Sequence, residues 1–245
     1  MSQSLKSKLV RRLRWWVQGA EGRTVMEQLI EVHTERYRVF SAACEYVRFE
    51  QVAGDILEFG VFTGMTLALL AKCYQNNASW DVPRTVIGFD SFDGLAADTE
   101  GHGSWKAGDC ATNHAWHPLL QPGERVTPEV TRELFRACEL PPPRLEVGLY
   151  ADTLPKVVGN GLKQAAIVHI DCDLYEAAAD VLEGLVPLFQ DGTMLLFDDW
   201  FHYKAHPAKG EARAFHEFLE RHPEWQAVHY RSYATFCNGF ILHKS

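Results

Sequence analysis

The sequence predicts an α/β domain built on a mostly parallel sheet. Three observations carry that expectation. Short apolar runs recur at Asp55–Phe59, 85–89, 144–149, Ala165–Ile170 and 193–197. Amphipathic stretches lie between them, clearest at 176–189, where Ala178, Val181, Leu182, Leu185, Val186 and Phe189 share one helical face. Two further β-type runs, 226–231 and 235–243, are separated by a short turn and read as an antiparallel hairpin on the sheet edge. Continuous apolar strands alternating with helices indicate a sheet covered on both faces.

Residues 1–50 read as a helical N-terminal extension and 51–245 as the main domain. The first residues form a basic arm with Lys6, Lys8, Arg11, Arg12 and Arg14 beside Trp15, Trp16 and Val17, expected as a solvated or docking helix. After it, Val25, Leu29, Val32, Phe40, Ala43 and Val47 make an apolar stripe at helical spacing, interrupted by Arg36. Residues 94–143 break the strand–helix rhythm. They hold Gly, Pro and a concentration of His102, Trp105, His114, Trp116 and His117, with an ordinary helix at 128–138. So long an insertion in a compact domain reads as a lid over the strand ends.

At 245 residues and 47% hydrophobic, the chain can bury the core of one large α/β domain. Its formal charge of −8 argues against a nucleic-acid partner. No stretch approaches the ~18 consecutive apolar residues of a membrane span, and no signal-peptide run follows the basic start. Cys44, Cys73, Cys110, Cys138, Cys172 and Cys237 are scattered, which fits reduced thiols in a cytoplasmic protein. A homo-oligomer, a dimer, is the expected assembly.

The first strand ends in Glu58-Phe59-Gly60-Val61-Phe62-Thr63-Gly64, a strand, a turn and a helix start. Glycines here allow a tight turn and a close ligand, and the helix start offers free N–H groups. Phe62 replaces the second glycine of a dinucleotide fingerprint. Glu58 at this edge suits a cationic or amine-bearing ligand, and S-adenosylmethionine carries both a sulfonium and an amino group. Gly60, Thr63 and Gly64 complete the expected turn. Asp90, beside Ser91 at the second strand end, can accept hydrogen bonds from two ribose hydroxyls. Asp93 is expected to stabilise the turn with Gly94. Asp152, after the third strand, meets an adenine or caps a helix.

The fourth and fifth strands end in Asp171-Cys172-Asp173 and Asp198-Asp199-Trp200. In a parallel sheet both clusters emerge on one edge, where the acids would repel one another without a cation. Mg²⁺ takes oxygen ligands and keeps positions for substrate. Asp173 precedes Glu176 by three residues, the spacing of a capping box, so it reads as a helix cap. Asp171, Asp198 and Asp199 form the expected metal set. His169, one pleat deeper than Asp171, reads as a satisfied core histidine.

Together these segments resemble the macrocin O-methyltransferase family. The resemblance rests on Glu58-Phe59-Gly60-Val61, Phe89-Asp90-Ser91-Phe92-Asp93-Gly94, Asp152-Thr153-Leu154-Pro155, His169-Ile170-Asp171-Cys172-Asp173-Leu174-Tyr175-Glu176, Phe197-Asp198-Asp199-Trp200 and Gly210-Glu211-Ala212-Arg213-Ala214-Phe215. It spans about residues 50–220. It implies a Rossmann-like class I methyltransferase fold with a seven-stranded sheet, S-adenosyl-L-methionine as cofactor, and Mg²⁺ held by Asp171, Asp198 and Asp199 against vicinal oxygens of a small acceptor. It also implies that Asp171 acts as base. Thr63-Gly64-Met65 departs from the family's paired glycines, and the 94–143 insertion differs too. Two other classes remain. A nucleotide-sugar glycosyltransferase would use Asp171-Cys172-Asp173 as a metal-binding DxD; a non-catalytic nucleotide-binding domain explains the glycine turn but not the convergent acids.

Overall fold

The structure is a computed structural model describing residues 23–103, 105–162 and 164–245. The basic arm and its tryptophans lie outside the described residues. A seven-stranded sheet has the order β3-β2-β1-β4-β5-β7-β6. Its strands are β1 Asp55–Phe59, β2 Val86–Asp90, β3 Arg144–Val147, β4 Ala165–Ile170, β5 Met194–Phe197, β6 Trp225–Tyr233 and β7 Cys237–Lys244. The first five are parallel; β7 runs antiparallel between β5 and β6. The hairpin is therefore longer than its apolar runs suggested, and β3 shorter. Chain order reverses at β1 and β4, so their carboxyl ends frame the crevice where ligands bind in such sheets.

Helices cover both faces. α1 Val25–Val32, α2 Thr34–Phe49, α3 Met65–Asn77 and α4 Pro128–Ala137 lie on one side. α5 Tyr150–Val157, α6 Tyr175–Leu185 and α7 Gly210–Arg221 lie on the other. Strand alternation divides the core accordingly: Ile56, Ile167, Met194 and Leu196 face the first layer, and Leu57, Phe59, Ile170 and Phe197 the second. α1 starts in a capping box: the Thr24 hydroxyl accepts from Glu27 N–H at 3.2 Å, and Glu27 accepts from Thr24 N–H at 2.8 Å. α2 buries Val39, Phe40, Ala43, Cys44 and Val47 in the same cluster as the sheet. Burial at that spacing fixes which way Arg36, on the helix's first turn, looks.

The insertion before α4 is irregular, pinned by an antiparallel bridge between Thr112 and Arg125. Its aromatic and His residues divide their work. Trp116 packs on the core, and the buried His117 accepts the N–H groups of Leu119 and Leu120 at 3.1 and 3.0 Å. All six cysteines are free. Among the described residues no helix is long and apolar enough to cross a membrane.

Candidate active site

A cavity of about 650 Å³ opens over the carboxyl ends of β1, β2, β4 and β5. Gly60, Val61, Phe62 and Thr63 form its floor, Asp90 and Ser91 one side, and Asp171, Asp173 and Asp198 the other. His33 and Arg36 close it from the α1–α2 corner, and Leu95, Cys110 and His114 from the insertion. Of the insertion's five His and Trp residues singled out in the sequence, His114 alone lines the cavity.

The glycine turn is shaped by protein contacts. Gly60 has φ +91°, and a Cβ there would meet the Asp171 carbonyl oxygen at 1.6 Å. Gly64 has φ +87°, and its Cβ would meet the Thr131 side chain of α4 at 2.6 Å. Both glycines thus let neighbouring chain segments close on the turn. Phe62 takes a left-handed φ of 47°, donates its N–H to Asp90 at 2.7 Å, and stacks its ring on His114 at 5.2 Å.

Glu58 stands one residue short of the edge. It is fully buried, off the cavity wall, and accepts from or donates to His169 Nδ1 at 3.0 Å. The pairing follows from register, since Glu58 lies beside His169 across β1 and β4. Asp90 accepts Phe62 and Phe92 N–H groups, both at 2.7 Å. Burial pushes its pKa up while those amides hold it down. The Ser91 hydroxyl accepts from Asp93 N–H at 3.2 Å, and Asp93 itself is paired with Arg125 at the surface. Asp152 is exposed in the first turn of α5 and is neither on the cavity wall nor the capping residue, which is Leu149.

The acids at β4 and β5 come together. Ligand atoms of Asp171, Asp198 and Asp199 all lie within 4.8 Å of one another. Asp171 keeps partial exposure to the cavity. Asp199 Oδ2 is buried without a hydrogen-bond partner. Burial, then neighbouring carboxylates, pushes both acids well above the ordinary carboxylate range. Asp198 differs. Burial works against its charge, but His169 and Arg36 hold it well below that range.

Asp173 corrects the capping-box expectation. Its φ is +63°, the cap position of α6 is Leu174, and no side chain caps the helix. The chain turns one residue later than the spacing implied, and Glu176 instead accepts from the Thr99 hydroxyl. The Asp173 carboxyl lies beside Asp199, pushed up to about 8 by burial, then by Asp171 and Asp198. His169 is a buried core residue, edge-on to Phe40 at 5.0 Å, with the Glu58 carboxylate on the side of its Nδ1 and the Asp198 carboxylate on the side of its Nε2. Burial lowers its pKa, yet Asp198 and Glu58 overcome that and raise it to about 10.

Three features escaped the sequence pattern. Arg36 pairs bidentately with Asp198; its only signal was a charge interrupting an apolar stripe. Glu211, fully buried at the start of α7, accepts from Cys172 N–H at 3.4 Å and from Asp199 N–H at 3.0 Å, tying the two acid loops together. The insertion also clasps the loop after β5. Trp105 stacks on His202 at 4.8 Å and 3°, Tyr203 donates to Asp98 at 2.9 Å, and Glu100 accepts from Gly210 N–H and Arg213. His202 Nε2 in turn lies 3.4 Å from Asp199.

The chain resembles a Streptomyces olivaceus protein, 8-demethyl-8-(2,3-dimethoxy-alpha-L-rhamnosyl)-tetracenomycin-C 4'-O-methyltransferase. The two are 29% identical over 157 residues, 64% of this chain and 56% of that one. It also resembles demethyldecarbamoylnovobiocin O-methyltransferase of Streptomyces niveus, 29% identical over 151 residues, 61% of this chain and 53% of the relative. The chain therefore spans little more than half the length of the curated relatives it matches. Among solved structures, the O-methyltransferase NovP shares the fold at TM-score 0.64 and 24% identity, covering 85% of this chain and 80% of that one. CalS11, a calicheamicin methyltransferase, does so at 0.62 and 22%, covering 84% and 77%. The family description Macrocin-O-methyltransferase matches residues 26–230, so the stretch from α1 through most of β6 is accounted for, and the chain belongs to the macrocin-O-methyltransferase family.

Proposed function

We propose that this chain is an S-adenosylmethionine-dependent, Mg²⁺-dependent O-methyltransferase acting on a hydroxyl of a small molecule, a vicinal diol on a sugar or other secondary metabolite. The observation that carries the reading is the convergence of Asp171, Asp198 and Asp199 within reach of one ion, with Asp171 and Asp198 on the wall of the same cavity as the glycine turn and Asp90. Family membership supports it, as do two relatives named as O-methyltransferases of a rhamnosyl tetracenomycin and of a demethyldecarbamoylnovobiocin. Glycosyl transfer has no such support.

The residues fit both groups. The cavity is of small-molecule size. The acid set offers three carboxylates in reach of one ion, and one buried oxygen, Asp199 Oδ2, lacks any donor. S-adenosylmethionine supplies an electrophilic methyl group, and Mg²⁺ lowers the pKa of an acceptor hydroxyl and fixes its direction. The chain does the rest. Asp90, locked by two backbone amides, presents its carboxylate to the ribose. Gly60, Thr63, Gly64 and Ser91 shape the cofactor floor. Asp171, partly open between the cofactor floor and the other acids, takes the hydroxyl proton at its carboxylate. The insertion excludes water over the acceptor. A cytoplasmic enzyme acting as a homodimer completes the reading.

Calorimetry with S-adenosylmethionine and with a uridine nucleotide, alongside methyl transfer to a panel of diols and deoxysugars, tests it. Binding of the former with methylation of a panel member is the expected result. Preference for the uridine nucleotide overturns it.

A further inference from the structure

Arg36 raises a conflict at the acid cluster. Its Nε donates to Asp198 Oδ1 at 2.7 Å, and its second guanidinium nitrogen donates to Asp198 Oδ2. Asp198 Oδ1 also accepts from the Cys237 thiol at 3.2 Å and lies 3.5 Å from His169 Nε2. Both oxygens of Asp198 are thus engaged by the protein's own donors, most strongly by a bidentate arginine fork. Asp199 Oδ2, by contrast, has none. A divalent ion reaching Asp171, Asp198 and Asp199 together needs an Asp198 oxygen that the guanidinium now holds. A guanidinium and a divalent ion held on the same carboxylate repel one another.

We infer that Arg36 is a displaceable counter-cation of this centre: it holds the Asp198 carboxylate aimed inward, and gives up its hold when a divalent ion enters. The inference rests on the metal-dependent reading above. Three further observations support it. Arg36 lines the cavity, so a released guanidinium has open space to enter. It sits on the first turn of α2, while the rest of that helix is fixed by Val39, Phe40, Ala43 and Val47; the side chain can pivot while the helix stays. His169 stays on the buried side of Asp198, braced by Glu58, so the carboxylate keeps an imidazole neighbour after the exchange. Metal entry thereby moves a positive charge from the acid cluster toward His33 and the cavity. Arg36 is a positioning residue, acting through Asp198.

The test is Mg²⁺ binding to the chelator-stripped full chain by calorimetry, for wild type, Arg36→Met and Arg36→Lys, with melting temperatures recorded in parallel. Arg36→Met is expected to bind Mg²⁺ at least tenfold more tightly, to melt lower without metal, and to gain more on Mg²⁺ addition. Arg36→Lys is expected between the two. Should Arg36→Met fold poorly, the Arg36 Nε–H resonance of the wild type serves instead: it is expected to shift and lose exchange protection as Mg²⁺ saturates. A variant that binds Mg²⁺ no better than a binding wild type, or an unmoved Nε–H signal, overturns the inference and leaves the metal reading intact. If neither wild type nor variant takes up Mg²⁺, the metal reading falls and the inference with it.

Discussion

Two regions of one sheet edge hold acids in opposite condition. At β2, Asp90 is met by two backbone N–H groups, each at 2.7 Å. At β4 and β5, Asp171 and Asp199 crowd against Asp173 and Asp198, and one buried oxygen of Asp199 has no donor. The first is a carboxylate whose two oxygens the chain itself supplies with donors. The second is an unbalanced cluster: Arg36 is paired with Asp198, His169 Nε2 lies 3.5 Å from it, and burial and mutual repulsion push the pKa values of Asp171 and Asp199 up. Buried charge without a partner is expensive. In the proposed reading, a cation that arrives from outside balances this cluster.

The difference sharpens under substitution. Asp171→Asn removes the proposed base and one metal ligand, so turnover is expected to fall about 10²–10⁴-fold. Cofactor affinity should persist, because the β2 side is untouched. Initial rates and calorimetry on one preparation check this, and joint loss of both would merge the two regions. Asp90→Ala should weaken S-adenosylmethionine binding at least about tenfold, through loss of roughly 2–4 kcal/mol of hydrogen bonding. It also strips Phe62 and Phe92 N–H of their acceptor, so part of the loss is expected as a lower melting temperature. Unchanged affinity in a titration would remove Asp90 from the cofactor site.

Glu211→Ala tests how the acid loops are held. It leaves the N–H groups of Cys172 and Asp199 without their acceptor. At about 1–3 kcal/mol for each of the two buried unpaired groups, a loss of about 2–6 kcal/mol is expected in denaturant titrations. An unchanged midpoint would mean water replaces the carboxylate.

The smallest effect concerns His33. Burial, then Arg36, lowers its pKa to about 4. An unfolded histidine titrates near about 6.5, so between those values the unfolded chain binds more protons. Stability therefore falls as pH drops through that window. His33→Gln is expected to flatten that part of the acid slope in thermal melts between pH 7 and 4.5. Parallel slopes for the two proteins would contradict the assignment.

Local pattern revealed the sheet well. β1 and β4 have the bounds their apolar runs marked, and α4 ends one residue short of the expected helix. The strand-end acids were legible because a parallel sheet delivers every carboxyl end to one edge. What escaped depended on partners distant in sequence or on backbone conformation. Arg36 and Asp198 are 162 residues apart, and no periodicity joins them. Asp173 had the spacing of a cap, but a φ of +63° turns it into the acid cluster. Glu58 stood in the right motif, yet strand register set it beside His169. The insertion's His and Trp content marked a functional segment, while contacts alone could assign His114 to the cavity and Trp105 to the clasp on His202.

The most direct measurement is release of S-adenosylhomocysteine from the chelator-treated enzyme on an acceptor found in the diol and deoxysugar panel, before and after Mg²⁺ is returned. Turnover absent in chelator and restored by Mg²⁺ is the expected result. Full turnover in excess chelator would contradict the metal role given to Asp171, Asp198 and Asp199.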